Sequence, residues 1–92
     1  MIEREGNLLY VSGALTMETV AALRDLDVSV DETSALVIDL AKVETVDSAA
    51  VGLLLAWLRQ AQERGMTLSY TNLPSNLVSL AQMYGVAELL PV

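Results

Sequence analysis

Two neighbouring polar side chains, the Asp47 carboxylate and the Ser48 hydroxyl, are the groups of this sequence best placed to do chemistry. They follow a loop predicted over residues 41–46 and precede residues 49–58, an uncharged and mostly apolar run that predicts a helix. A hydroxyl at the start of a helix can cap it, accept a phosphoryl group or mark a docking surface. The general preference for Ser at such positions predicts that Ser48 is the N-cap, and that its replacement by Ala costs about 1 kcal/mol of stability. Asp47 competes for the same backbone N–H groups and is otherwise expected to be a solvated loop carboxylate.

The composition excludes most other reactive sites. The sequence has no cysteine and no histidine, which removes disulfides, thiolate nucleophiles, Cys/His metal sites and Ser-His triads. Its five glycines are isolated and none precedes Lys-Ser or Lys-Thr, so no phosphate-binding loop is predicted. The Asp and Glu residues show no spacing typical of a metal site. We therefore expect no catalytic residue, no metal, no cofactor and no enzymatic activity.

The charge of the chain limits its binding partners. The net charge is −7, and the five basic residues are scattered at Arg4, Arg24, Lys42, Arg59 and Arg64. Nucleic-acid binding requires clustered Lys and Arg, and adhesion to an anionic membrane also requires positive charge. The sequence therefore argues against both and leaves two interpretations: an electropositive protein partner, or an acidic surface that only maintains solubility.

Length and hydropathy predict one domain outside the membrane. Ninety-two residues suffice for one small core, so the domain is expected to fill residues 1–92. The longest apolar stretch, residues 49–58, is far shorter than the about 20 residues needed to cross a bilayer. Residues 1–5 alternate in charge and do not resemble a signal peptide, so a soluble, cytoplasmic protein is expected. A hydrophobic fraction of 53% with only 4% aromatic residues predicts an aliphatic core and suggests that some apolar surface is left for a partner.

The pattern of apolar residues, glycines and helix caps predicts a β-β-α-β-α-β-α order. This order is typical of an α/β layer with parallel crossover connections. Four consecutive apolar residues in the third strand predict a central strand covered on both faces. The predicted strands are residues 1–5, 8–12, 35–40 and 68–71, and residues 86–90 form either a further strand or a turn. The predicted helices are residues 17–26, 49–64 and 75–84.

The long second helix carries more apolar residues than one face can hold. A helical wheel places Val51, Leu54, Leu55 and Leu58 on the face toward the sheet, together with Gln62. On this wheel Leu53 and Trp57 lie off the core stripe. They are then either a contact surface, since Trp is enriched in interface anchors, or residues covered by the third helix or the tail. The wheel predicts that both are at least partly exposed.

With these elements in place, the chain resembles the STAS family (sulfate transporter and anti-sigma factor antagonist). The resemblance covers nearly the whole chain and centres on the strand ending at Asp39-Leu40, the loop, and the Asp-Ser step that opens an aliphatic helix. Ala50 stands where many members have Gly. Residues 78–86 and the ending Leu89-Leu90-Pro91 are most similar to the small STAS subunits of Mla-type phospholipid ABC transporters. The resemblance implies a single α/β STAS domain, with a mixed sheet of about four to five strands and three to four helices.

The resemblance also implies what the chain does and through which residues. STAS members are non-catalytic and bind either anti-sigma kinases or a transporter's ATPase subunit. The implied function is to bind the ATPase of a phospholipid transporter that maintains outer-membrane lipid asymmetry, and to stabilise or regulate that ATPase. Through the ATPase, the chain would be linked indirectly to the membrane permease and to the inner membrane. The alternative is an anti-sigma factor antagonist switched by phosphorylation of Ser48. Candidate partner-binding residues are Ser48, Asp47, Ala49, Ala50, Leu53 and Trp57.

Overall fold

The computed structural model describes residues 2–24 and 35–90 and confirms the predicted α/β fold. Within these described residues, a four-stranded mixed sheet is combined with three α-helices and a short 3₁₀ helix. The last two residues of the first predicted helix lie outside the described residues. The strands are β1 (Ile2–Glu5), β2 (Leu8–Leu15), β3 (Ala35–Val46) and β4 (Thr67–Thr71), the helices are α1 (Met17–Arg24), α2 (Ser48–Glu63) and α3 (Ser75–Met83), and the 3₁₀ helix is Ala87–Leu89.

The sheet topology brings the starts of the three helices to one edge. The strand order is β1-β2-β3-β4, with β1 antiparallel to β2 and with β2, β3 and β4 parallel to one another. The carboxyl ends of β2 and β3 lie side by side, and the chain that follows β4 reaches the same edge, where the Asn76 amide donates to the Glu44 carbonyl at 3.4 Å. A helix follows each of the three parallel strands. We call this region the carboxyl edge and define it as residues 15–18, 44–49 and 71–76.

One face of the sheet is buried beneath the helices. Alternate residues along the strands are fully buried there, in one cluster with α2, while Val37 and Asp39 on the opposite face are only half-buried. The expectation that β3 is covered on both faces is therefore wrong, because its burial alternates with the period of 2 expected of a strand with one covered face. The buried sheet residues are Leu9, Val11, Leu15, Leu36, Ile38, Leu40, Val43, Leu68 and Tyr70.

The loop predicted over residues 41–46 is instead a continuation of β3. These residues pair in parallel with the second half of β2, which itself runs to Leu15 rather than ending at residue 12. Two register irregularities interrupt this pairing, and near the first of them Ala41 and Lys42 are both exposed before Val43 returns to the core. Such irregularities break strict alternation, and the sequence pattern therefore resembles a loop.

A glycine follows each of α2 and α3, one residue after the predicted helix ends at 64 and 84. After α2, the Gly65 N–H bonds to the Gln62 carbonyl at 3.2 Å and the Met66 N–H bonds to the Ala61 carbonyl at 2.9 Å. This pair of bonds is a Schellman motif, and Gly65 adopts the left-handed φ of +69° that the motif requires. The same bonds recur at Gly85, after α3. Residues 87–89 then form the 3₁₀ helix. Of the two predictions for residues 86–90, a strand or a turn, the turn is therefore confirmed for residues 87–89.

Candidate functional site

Asp47, and not Ser48, is the N-cap of α2. Asp47 has extended backbone dihedrals, and its Oδ1 accepts a hydrogen bond from the Ala49 N–H at 2.8 Å. Ser48 is already the first helical residue. The prediction that Ser48 caps the helix is therefore wrong, because the carboxylate one residue earlier reaches the unpaired N–H groups first.

The same carboxylate also holds the start of α1. Its Oδ2 accepts a hydrogen bond from the Met17 N–H at 2.9 Å, across 30 residues of sequence. The Asp47 N–H in turn donates to the Leu15 carbonyl at the end of β2, at 3.2 Å. Two helix N-termini are thus joined through one half-buried side chain, where a negative charge also complements both helix dipoles. Asp47 therefore fixes the geometry of the carboxyl edge and is not a free loop carboxylate.

Ser48 is exposed at this edge, whereas the two alanines that follow turn inward. Ala49 is half-buried, and Ala50 is fully buried in the core. Of the predicted partner-binding residues, the structure therefore brings Asp47, Ser48 and Ala49 together at the surface. The prediction for Ala50 is wrong, since no partner can reach it in the folded domain.

Leu53 and Trp57 are also core residues, so the prediction that they are exposed is wrong. Both have no exposed surface, whereas Leu55 and Leu58 are half-buried and Gln62 is exposed. The stripe that α2 buries is displaced around the helix from the predicted one, and its members follow helical spacing. Two of its positions are alanines, and almost every residue of this segment is apolar, so the helical wheel does not distinguish the buried face from its neighbours. Its members are Ala50, Val51, Leu53, Leu54, Trp57 and Ala61.

Tyr70 helps to fix α2 on the sheet. This β4 side chain is buried, and its hydroxyl donates to the Leu54 carbonyl in the middle of α2 at 2.6 Å. Burial raises the pKa of the Tyr70 phenol well above its ordinary value of 10.0, so it remains a neutral donor. The orientation of α2, and with it the position of Ser48, is therefore set by a bond as well as by packing.

The outer side of the first turns of α2 carries no charged side chain. Residues 48–58 contain no Asp, Glu, Lys or Arg. On the outer side Gly52 is exposed and Leu55 is half-buried. Beside this surface the first residue of α1, Met17, is 75% exposed. Sequence reasoning missed Met17, although the predicted helix start at this residue already placed it at the same edge as Ser48.

The charges of the carboxyl edge all have one sign. They are Glu18, Glu44 and Asp47, and no Lys or Arg occurs within the three segments that define the edge. Both Asp47 oxygens accept backbone N–H groups, so this carboxylate is not arranged to take a proton from the neighbouring Ser48 hydroxyl. The edge therefore combines features of a docking surface: an exposed hydroxyl, apolar neighbours and an acidic surround.

A second exposed apolar group lies at the opposite end of α3. Met83 is 72% exposed, Tyr84 is 53% exposed and Leu89 is 59% exposed. Nearby, a groove of about 350 Å³ runs between β4, α3 and the 3₁₀ helix, lined in part by Tyr70 and Val78. Since α3 starts at the carboxyl edge and rises about 12 Å over its nine residues, this group is separate from Ser48.

A comparison with known families identifies the family of this chain. The family model described as "Mlab, STAS domain" matches residues 2–91. The chain belongs to the STAS family. Members of this family are generally non-catalytic, and the predicted resemblance to the MlaB branch is confirmed. None of the curated proteins compared with this STAS domain matches it.

Solved structures show the same fold. The anti-sigma factor antagonist SpoIIAA, in its unphosphorylated form, matches with a TM-score of 0.74 and 16% identity, over 98% of this chain and 84% of that one. A sulfate transporter family protein from Wolinella succinogenes matches with a TM-score of 0.74 and 16% identity, over 91% of this chain and 70% of that one. At these identities the two structures establish the fold alone.

Proposed function

We propose that this STAS domain is a non-catalytic subunit that binds the ATPase of an Mla-type phospholipid ABC transporter and stabilises or regulates it. Through that partner it would associate with the membrane permease at the cytoplasmic side of the inner membrane and contribute to outer-membrane lipid asymmetry. The observation that carries the proposal is the match of residues 2–91 to the family model described by the name of MlaB.

Two features of the structure support a role in binding. The carboxyl edge presents Ser48 on a rigid base, because Asp47 joins the starts of α1 and α2. A preorganised surface loses little conformational entropy on binding, which favours affinity. In addition, no helix among residues 2–24 and 35–90 is long and apolar enough to span a membrane, and the proposal assigns membrane attachment to the partner.

A second candidate function is that of an anti-sigma factor antagonist switched by phosphorylation of Ser48. The likeness of the fold to SpoIIAA and the exposure of the Ser48 hydroxyl favour it. A phosphate at the first position of α2 would add about −1.5 to −2 charges, which the helix dipole accommodates but which would alter docking at an already acidic edge. The transporter function ranks first because the family model itself is that of the MlaB branch.

Affinity capture separates the two functions. The tagged protein, expressed in its own cells at native level, is purified and its partners are identified by mass spectrometry. Enrichment of a transporter ATPase and permease supports the proposal, and enrichment of a kinase with a sigma factor supports the alternative.

A purified system then tests the proposed role. The domain alone is expected to hydrolyse no ATP, and its addition should change the thermal stability or the turnover rate of the cognate ATPase. Robust ATP hydrolysis by the isolated domain, or no effect on an ATPase that it binds, would contradict the proposed role.

A further inference from the structure

We infer that Met17 is the apolar anchor of the carboxyl edge, and that it docks in an apolar socket rimmed by Lys or Arg on the partner. This inference rests on the proposed function and specifies the chemistry of the partner surface. It assigns a role to a residue that is distant in sequence from Ser48.

Met17 combines a backbone held by a hydrogen bond with a largely exposed side chain. Its N–H is held by the Asp47 carboxylate at 2.9 Å, while 75% of the residue is exposed. A large apolar side chain at a rigid helix start contributes little to the core of the free domain. It can however be buried by a partner without ordering the main chain, which is the condition under which anchor residues contribute most.

The surroundings of Met17 allow a partner to approach closely. Asp47 links the first residue of α1 to the first turn of α2, so Met17 and Ser48 lie on either side of one carboxylate. Beyond Ser48 the outer side of α2 carries the exposed Gly52 and the half-buried Leu55. The side chains that adjoin the anchor on this side of α2 are therefore uncharged, and Gly52 adds no side chain that would hold a partner away.

Charge identifies the rim of the socket. Glu18 follows Met17 directly and is exposed, and Glu44 is exposed near the end of β3. With Asp47 they are the only charged residues of the carboxyl edge as defined, and all are acidic. A complementary partner therefore carries basic side chains around the socket, which would speed association and make it sensitive to salt.

The chain offers a matched control for the anchor. Met83 is 72% exposed and also lies in a helix, but at the end of α3 away from the carboxyl edge. Replacement of either methionine by Gln keeps an unbranched side chain of similar helix propensity and removes most of the apolar surface. Glu88, exposed in the 3₁₀ helix, is the corresponding control for Glu18.

The test is calorimetric titration of the purified cognate ATPase with wild type, Met17→Gln and Met83→Gln, after circular dichroism has shown that each variant is folded. Met17→Gln is expected to weaken binding by about tenfold, the loss typical of an interface anchor, whereas Met83→Gln should stay within about twofold of wild type. The association rate, measured by stopped flow at low salt, should be about threefold lower for Glu18→Gln than for wild type and unchanged for Glu88→Gln. For wild type, the association rate should fall as the salt concentration is raised.

The outcomes distinguish this inference from the proposed function. If wild type binds the ATPase and Met17→Gln binds equally well, or if Met83→Gln shows the larger loss, the anchor assignment is wrong while the proposed function stands. Association that is independent of salt and of Glu18 would overturn the basic rim. If folded wild type does not bind the ATPase at all, the proposed function fails and the inference fails with it.

Discussion

Replacement of Asp47 by Ala removes two hydrogen bonds that join different parts of the fold. The first is the α2 cap to the Ala49 N–H at 2.8 Å, and the second is the bond to the Met17 N–H at 2.9 Å. Loss of an N-cap side chain typically costs about 1 kcal/mol, and loss of a further bond to a charged acceptor costs about 1.5 kcal/mol at the lower end of its range. The expected destabilisation is therefore about 2.5 kcal/mol, or roughly 10–20 °C in Tm for a domain of this size.

Urea denaturation monitored by circular dichroism measures this loss, and two further variants calibrate it. Asp47→Asn retains one acceptor oxygen, so it should keep the cap and lose about half as much stability as Asp47→Ala. Ser48→Ala should change stability by less than about 0.5 kcal/mol, because Ser48 is exposed and does not cap the helix. A small effect of Asp47→Ala, or a cost of about 1 kcal/mol for Ser48→Ala, would refute this account of the edge.

Three other predictions concern the core and the helix ends. Tyr70→Phe removes the bond to the Leu54 carbonyl and should cost about 1 kcal/mol at neutral pH. Because burial raises the folded-state pKa of Tyr70 above 10.0, just above pH 10 this side chain ionises only in the unfolded state. The free energy of unfolding of wild type should therefore fall as the pH rises, and its difference from that of Tyr70→Phe should become smaller. A difference that stays constant up to pH 11 would contradict this. Trp57 is buried, so iodide should quench its fluorescence only weakly, both in the free domain and in complexes. Strong quenching in the free domain would show that Trp57 is exposed. Gly65→Ala should lower the free energy of unfolding by about 1 kcal/mol from backbone strain alone, since φ is +69° and no atom lies within 4 Å of the added Cβ. An unchanged denaturation midpoint would show that the Schellman turn tolerates a side chain.

The features that the sequence predicted well depend on local chemistry. The turn between the first two predicted strands, the start of α1 at Met17, and the ends of α2 and α3 before Gly65 and Gly85 each follow from one or two residues with strong conformational preferences. Their order was sufficient to predict the α/β fold class.

The errors arose where tertiary contacts decide between similar local choices. Asp47 and Ser48 are both good caps, and only the proximity of Met17 in the fold shows why the carboxylate takes that position. In α2 almost every residue from 49 to 58 is apolar, so periodicity alone could not select the face that buries Leu53 and Trp57. The second half of β3 has the sequence pattern of a loop because register irregularities interrupt its alternation.

The central claim, that the carboxyl edge around Ser48 binds a transporter ATPase, is tested most directly by one comparison of affinities. Wild type, Ser48→Asp and Ser79→Asp are titrated into the purified cognate ATPase; Ser79 is an exposed serine within α3 and controls for the added charge itself. Ser48→Asp should leave the fold intact, because a carboxylate is favourable in the first turn of a helix, but should weaken binding by tenfold or more, about 1.4 kcal/mol, by adding a charge inside the interface. Ser79→Asp should bind as wild type does. Equal affinities for all three proteins would contradict the claim that this edge is the binding surface.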